Sequence, residues 1–240
     1  KRFAAEGLHV CVASRTLPRL EALVSEIEQT GGKATAFCTD ATNEEQVIKL
    51  FNKVGSDLFL AIYNVGNNFP GKIIDMESEY FKKSWNSCCF GGFLFGREAI
   101  RCMAPSGEGT LIFTGASASL RGRPNFGAFN SAKAGLRTLA QAMAKEYGPK
   151  GIHVGHVVVD GAIAVGFPEL QKANVIGVVV DSKLLLSDAK VSLVQFLAPF
   201  GLQTEVDLGD NHLTLSYKWL GSPSQARRLG GVVPSRRMIL

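Results

Sequence analysis

Short apolar runs alternate with amphipathic helical patterns along the first 160 residues of this 240-residue chain. Apolar strands separated by helical crossovers favour a parallel sheet, because each crossover helix returns the chain to the edge of the sheet at which the previous strand began. The pattern therefore predicts an α/β fold, a doubly wound parallel sheet in three α/β/α layers. The predicted strands are residues 8–13, 34–38, 58–63, 110–114 and 152–159, and the predicted helices are residues 17–30, 44–54, 78–102 and 126–147.

The pattern weakens after about residue 166. Apolar patches at 174–180, 183–186, 191–200 and 212–220 have no clear period, and 221–240 is mostly Ser, Pro, Gly and Arg. We therefore divide the chain into residues 1–165, one domain, and residues 166–240, a divergent segment that need not be well ordered. That segment is either a variable substrate-binding lobe or sequence foreign to the domain, and its irregular pattern favours the second reading.

The net charge of +5 does not indicate a nucleic-acid partner, because the excess lies near one end of the chain. No acidic residue follows Asp210, and without the five last basic residues the remaining 21 basic residues equal the 21 acidic ones. A solvated segment explains this charge better than a polyanion-binding one. The five are Lys218, Arg227, Arg228, Arg236 and Arg237.

The five cysteines are odd in number and form no Cys-x-x-Cys pair, so we expect neither a disulfide framework nor a metal site. A reducing compartment, the cytoplasm or another, fits them best. No uninterrupted apolar run is long enough for a membrane helix, so no membrane partner is expected. The chain begins at Lys1 without an initiator Met, and any targeting segment would precede it.

Polar residues directly follow several predicted strands: Ser14-Arg15, Asp40, Asn64, Ser117 and Asp160-Gly161. The carboxyl ends of parallel strands share one edge of the sheet, where doubly wound folds bind ligands. Each of these residues also has a simpler explanation: Asp40 could cap a helix, and Asn64 could form a turn. Lys133, in the predicted helix 126–147, could likewise be a surface charge. Their joint placement favours a ligand site.

Several motifs in this order resemble the short-chain dehydrogenase/reductase family over about residues 1–165. Asn64-Val65-Gly66 resembles the family's Asn-Asn-Ala-Gly stretch, and Asn86 resembles the Asn of its proton relay. Phe129-Asn130-Ser131-Ala132-Lys133 stands where the family has Tyr-x-x-x-Lys, and Asp160-Gly161-Ala162-Ile163 stands at its Pro-Gly turn. The resemblance implies a Rossmann-like fold, a small-molecule substrate and a homo-oligomer formed through helices 78–102 and 126–147.

The resemblance also implies a nicotinamide cofactor. An acid at the end of the first visible strand would favour NAD(H), but Ser14 and Arg15 stand there, and Arg15 suits a 2′-phosphate. We therefore predict NADP(H) rather than NAD(H). Asp40 would accept a hydrogen bond from adenine, and Asn64 to Gly66 would lie along the adenosine ribose. Lys133 would bind the nicotinamide ribose, and Gly161 and Ile163 complete the implied cofactor set.

The sequence departs from the family at three places. The glycine-rich turn that follows the family's first strand is not in this chain, so we expect the sheet to lack a central strand. Phe129 stands at the position of the tyrosine acid and has no proton to donate. Ala116 stands at the position of the carbonyl-polarising serine, and Ser117 is the nearest replacement.

Three hypotheses follow. The first is an NADP-linked oxidoreductase that acts on a carbonyl, alcohol or enoyl small molecule, with Asn86, Ser117 and Lys133 as catalytic candidates and Phe129 at the tyrosine position. The second is a catalytically inactive pseudoenzyme that binds nucleotide or a partner. The third is a truncated product without function. Ser131-Ala132-Lys133 also looks similar to the dienoyl thioester reductases of this superfamily, although no Tyr lies between Tyr80 and Tyr147.

Overall fold

The computed structural model of the chain describes residues 1–159, 177–180, 202–209, 212–219 and 237–239. The helices are α1 (Arg2–Ala5), α2 (Leu17–Gln29), α3 (Glu44–Val54), α4 (Ser78–Trp85), α5 (Gly91–Met103) and α6 (Gly127–Tyr147). The strands are β1 (His9–Ser14), β2 (Lys33–Cys38), β3 (Leu58–Tyr63), β4 (Gly109–Ala116), β5 (Ile152–Val159), β6 (Gly177–Val180), β7 (Leu202–Gly209), β8 (His212–Trp219) and β9 (Arg237–Ile239). None of the described helices is both long and apolar enough to cross a bilayer.

These strands form one sheet in the order β2-β1-β9-β3-β4-β5-β6-β8-β7. The first six strands in that order pair in parallel. Two buried apolar clusters lie on the two faces of the sheet, one under α3, α5 and α6 and the other under α1 and α2. The predicted doubly wound α/β/α fold is confirmed.

The expectation that the sheet lacks a central strand is wrong. Strand β9 lies between β1 and β3 and pairs with both in parallel. Met238 and Ile239 are fully buried there, one in each of the two apolar clusters. No local pattern indicated this strand, because three residues are too few to show a period and its position depends on distant partners.

The later strands add an antiparallel part that the parallel prediction did not include. Strand β6 pairs with β5 in antiparallel orientation, β8 pairs with β6, and β7 pairs with β8. The apolar patches at 174–180 and 212–220 contain β6 and β8, whereas those at 183–186 and 191–200 lie outside the described residues. Whether 166–240 is a separate segment stays a prediction.

The predicted helix 78–102 is interrupted in its middle. A π-helical turn, Asn86–Phe90, separates α4 from α5. The Tyr63 hydroxyl donates to the Ser87 carbonyl at 2.5 Å and so fixes this turn to the end of β3. A Cβ on Gly91 would lie 2.4 Å from the Tyr63 hydroxyl oxygen, so only glycine permits this close approach. The turn changes which side chains of the helix face the sheet.

Candidate functional site

Lys133 is the centre of the arrangement at the carboxyl edge of the parallel sheet. Its Nζ donates to the Thr114 carbonyl of β4 at 2.7 Å and to the Val65 carbonyl just after β3 at 3.5 Å. The residue is only 5% exposed, and this burial lowers the pKa of its ammonium from the ordinary value. The structure therefore places Lys133 as a fixed, buried amine rather than as a surface charge.

Phe129 lies one turn before Lys133 on α6. Its half-buried ring has its centroid 5.8 Å from Lys133 Nζ. The ring helps to keep water from the amine but offers no group for proton transfer. The four-residue spacing thus places both side chains together, as the sequence predicts.

Cys88, which the sequence analysis did not single out, is the side chain of the π-helical turn that lies near Lys133. A Cβ added to Gly66 would lie 3.3 Å from Cys88 Sγ and 3.5 Å from Lys133 Nζ, so the three residues meet at one point. Cys88 is fully buried, whereas Asn86 is exposed at the end of α4. The π-helical turn explains the difference, because it rotates the residues after α4 about the helix axis. Counting α-helical spacing forward from α4 therefore does not identify the residue that faces α6.

Ser117 and Ser119 lie in a short 3₁₀ turn directly after β4. Ser117 is half-buried at the sheet edge, next to the position where the family would have its serine. Ser119 is buried, and its Oγ accepts a hydrogen bond from the Ala116 N–H at 3.1 Å. Ser119 therefore holds the turn that presents Ser117, and the predicted candidate remains the more accessible hydroxyl.

His156 is a second residue that the sequence analysis missed. Its Nε2 lies 3.3 Å from Ser119 Oγ, and the side chain is 2% exposed. Burial, together with the charges of Lys133 and Arg137, lowers the pKa of His156 to about 4, so its ring is neutral at pH 7. Because the imidazole does not add a positive charge beside Lys133, the described cluster keeps a single buried ammonium.

Ser14, Arg15 and Asp40 lie together at the carboxyl ends of β1 and β2. The Thr16 N–H donates to Ser14 Oγ at 3.2 Å, and Arg15, which stands between these two residues in the chain, is exposed. Asp40 accepts from the Thr42 N–H at 2.9 Å and the Thr42 hydroxyl at 2.7 Å. Partial burial opposes its charge, but these hydrogen bonds and Arg15 prevail and lower the pKa of Asp40.

The structure also excludes the alternative explanation that Asp40 caps the helix that follows it. Asn43, not Asp40, caps α3, because its side chain accepts from the Gln46 N–H at 3.0 Å. Asn64 and Gly66 are both exposed at the carboxyl end of β3. Asp160, Gly161 and Ile163 lie outside the described residues, so their predicted contribution to the site stays a prediction.

Comparison with known proteins agrees with this geometry. A family model described as short chain dehydrogenase matches residues 1–167. The uncharacterized oxidoreductase YuxG of Bacillus subtilis is 30% identical over 169 residues, which are 68% of this chain and 24% of that protein. The 3beta-hydroxysteroid dehydrogenase of Mediterraneibacter gnavus is 30% identical over 159 residues, which are 63% of this chain and 56% of that protein. The chain thus spans less than two thirds of either relative.

Solved structures give the same result. A short-chain dehydrogenase from Rhodopseudomonas palustris superposes with a TM-score of 0.65 at 44% identity, over 67% of this chain and 76% of that one. A 7 alpha-hydroxysteroid dehydrogenase in complex with NADH and 7-oxo glycochenodeoxycholic acid superposes with a TM-score of 0.59 at 25% identity, over 65% of this chain and 61% of that one. With the family match over residues 1–167, these likenesses show that the chain belongs to the short-chain dehydrogenase family.

Proposed function

We propose that the protein is an NADP-linked oxidoreductase that acts on a carbonyl or alcohol small molecule without the family's tyrosine acid. The observation that carries the proposal is the buried ammonium of Lys133, held by two backbone carbonyls at the carboxyl edge of the sheet. An isolated buried cation is unfavourable, so its retention at a ligand-binding edge supports a role in binding or chemistry.

The described residues fit the two ribose-bearing ends of a dinucleotide. Asn67 Oδ1 is buried, follows directly on the exposed Asn64–Gly66 stretch and has no hydrogen-bond partner among the described residues. A polar ligand group would satisfy this acceptor. Lys133 would hold the nicotinamide ribose, and Asp40 would accept from the adenine amino group. In the described part of the chain no strand–helix connection at this edge is glycine-rich, so we assign no residue to the pyrophosphate.

Arg15 supports the choice of NADP(H). Its exposed guanidinium stands beside Ser14 and Asp40, where a 2′-phosphate would accept two charge-assisted hydrogen bonds. Ser14 brings no negative charge to repel that phosphate. A carboxylate at either position would instead favour the free 2′-hydroxyl of NAD(H).

The proposed chemistry divides between the cofactor and the chain. The bound nicotinamide supplies or accepts the hydride. Ser117 would donate a hydrogen bond to the substrate oxygen, and Lys133 would orient the ribose and exclude water together with Phe129. Because Phe129 cannot donate a proton, Ser117, Ser131 or an ordered water must deliver it to the substrate oxygen. Asn86 is a weaker candidate, because its side chain is exposed.

The first substrates to test are apolar alicyclic ketones and alcohols. Two of the relatives are named hydroxysteroid dehydrogenases, which supports this choice. The loop after β3 also exposes Phe69, Ile73 and Ile74, and Ile73 contacts the start of α6 at Gly127. Gly127 is two residues before Phe129 on α6, so Ile73 lies near the proposed site and would offer an apolar contact to such a substrate.

The decisive experiment is a binding titration with NADPH and NADH. Replacing Arg15→Ala should weaken NADPH binding roughly 10–100-fold, because it removes a charge-assisted contact, and should leave NADH binding nearly unchanged. Arg19→Ala, one turn later on the exposed face of α2, is the matched control and should change neither affinity. Equal affinity of the wild-type chain for NADH and NADPH would refute the cofactor choice.

A catalytically inactive nucleotide-binding protein is the second candidate, and Phe129 together with Ala116 favours it. Activity on a panel of hydroxysteroids and ketones separates the two. If the wild-type chain turns over, Phe129→Tyr should raise the rate by roughly 100-fold or more, as added general acid catalysis does. If turnover appears only in the Phe129→Tyr variant, the wild-type protein is a pseudoenzyme.

A homo-oligomer and a reducing compartment also belong to this proposal. Trp85, Phe90 and Phe93 remain exposed on the helices beside α6, and such aromatic patches are typical of protein interfaces. All five cysteines are free thiols, which is consistent with the cytoplasm or another reducing compartment.

A further inference from the structure

The end of β4 and the turn that follows it are held from two sides. On one side the ammonium of Lys133 donates to the Thr114 carbonyl at 2.7 Å. On the other side Ser119 Oγ accepts from the Ala116 N–H at 3.1 Å. Ser117 lies between these contacts, and its carbonyl accepts from the N–H groups of the two residues after Ser119, at 3.1 and 3.2 Å. The position of the Ser117 hydroxyl therefore depends on what holds Ser119.

His156 of β5 is the side chain that holds Ser119. Its Nε2 lies 3.3 Å from Ser119 Oγ, and both side chains are buried. Since Ser119 Oγ already accepts from a backbone N–H, its own proton is available to the imidazole. Burial and two nearby cations lower the pKa of His156 to about 4, so at pH 7 the neutral ring can accept that hydrogen bond. One path of hydrogen bonds thus leads from β5 through Ser119 to the backbone beside Ser117.

Strand β4 leaves room for this imidazole. His156 is the register partner of Phe113, and its ring extends along β4 to Gly115, where an added Cβ would overlap the ring carbon Cε1. The arrangement costs free energy, because His156 Nδ1 is buried and has no hydrogen-bond partner among the described residues. A valine, as at the three following positions of β5, would avoid that cost. Stability alone therefore does not account for a histidine here.

We propose that His156 is a positioning residue, which through Ser119 fixes the turn that presents the Ser117 hydroxyl to the substrate oxygen. The inference rests on the proposed function, in which Ser117 donates to that oxygen. Such a donor must be held within about 0.5 Å of its productive position. Because Phe129 supplies no second donor at the substrate oxygen, the rate depends strongly on where this hydroxyl lies.

A double-mutant cycle with NADPH and the ketone that the wild-type chain reduces fastest tests the proposal. His156→Leu and Ser119→Ala should each lower kcat roughly 10-fold, as the loss of one buried hydrogen bond does, and should change KM less than about 2-fold. Because His156 acts through Ser119, the double variant should be no slower than either single variant. Losses that multiply to roughly 100-fold would overturn the proposal.

Two further variants separate positioning from a general loss of stability. His156→Gln should recover most of the rate, since its amide oxygen can accept from the Ser119 hydroxyl. Val154→Ala is the matched control, because Val154 lies on the same buried face of β5, two residues earlier, and packs in the apolar cluster under α6. It should destabilise the chain but change kcat less than about 2-fold. A loss in Val154→Ala as large as that in His156→Leu would overturn the proposal.

Amide hydrogen exchange gives a decision that does not depend on turnover. In His156→Leu the turn amides of Ala116, Leu120 and Arg121 should exchange at least about 10-fold faster than in the wild-type chain, because each donates within the turn. The Asn130 amide at the start of α6 should not change and shows that the variant is folded. Unchanged exchange in the turn would overturn the inference. Faster exchange in a chain that reduces no ketone would support the hold of His156 on the turn and refute the oxidoreductase function alone.

Discussion

Strands β1–β5 and strand β9 belong to the same parallel sheet, but they reach it in different ways. Each of the first five is followed or preceded by its own helix, and the helix packs on the strand beside it in the chain. Strand β9 has no such helix among the described residues and pairs with strands about 180 and 230 residues away in sequence. The comparison teaches that local units can form most of a core while a distant segment completes it.

The largest test of this comparison replaces a buried side chain of β9. Met238→Ala should lower the free energy of unfolding by about 2–5 kcal/mol, because it opens a cavity beside Val10 and Leu60 in the middle of the sheet. Urea unfolding measures the effect. Ile74→Ala is the control, since Ile74 is 89% exposed and should change stability by less than about 0.5 kcal/mol. Equal effects would mean that β9 adds little to the core.

The second test concerns β5, where the parallel part meets the antiparallel strands. The pKa of His156 is about 4 in the folded protein, against an ordinary value of 6.5. At pH 7.5 the ring is neutral in both states, and at pH 5 only the unfolded chain binds the proton. Stability should therefore fall by about 2 kcal/mol between these pH values from this residue alone.

The variant His156→Gln isolates that contribution. The carboxylates titrate equally in both proteins, so the difference between their pH-dependent losses reports His156. Urea unfolding at pH 7.5 and pH 5 should show the larger loss for the wild-type chain. The same loss in both proteins would mean that His156 is not kept neutral by its buried position between β5 and α6.

The smallest effect is expected where local sequence decides the structure. Asn43→Ala should lower the free energy of unfolding by about 1 kcal/mol, because it removes the side-chain oxygen that caps α3. Asn43→Ser should retain most of that stability, since serine caps helices as well. Thermal or urea unfolding of both variants checks the difference, and equal losses would place the effect elsewhere than in the cap.

The candidate site was predictable where local spacing or strand ends fix a position. Lys133 and Phe129 lie one turn apart on α6, and Asp40, Asn64 and Gly66 follow strands that share an edge, as the sequence indicates. Cys88 was not predicted, because a π-helical turn changes which residue faces α6. His156 and its contact with Ser119 were missed, because the contact joins a turn and a strand 37 residues apart.

The amino-acid sequence by itself determines most helices and strands of residues 1–159, because amphipathic periods, caps and turn residues act over a few residues, but it does not indicate the π-helical turn at Asn86–Phe90. It also determines which polar residues stand at strand ends. The tertiary structure alone decides that Arg237–Ile239 fills the centre of the sheet and that Cys88 meets Lys133. Both depend on burial and pairing between distant segments, and such contacts leave no period in the sequence.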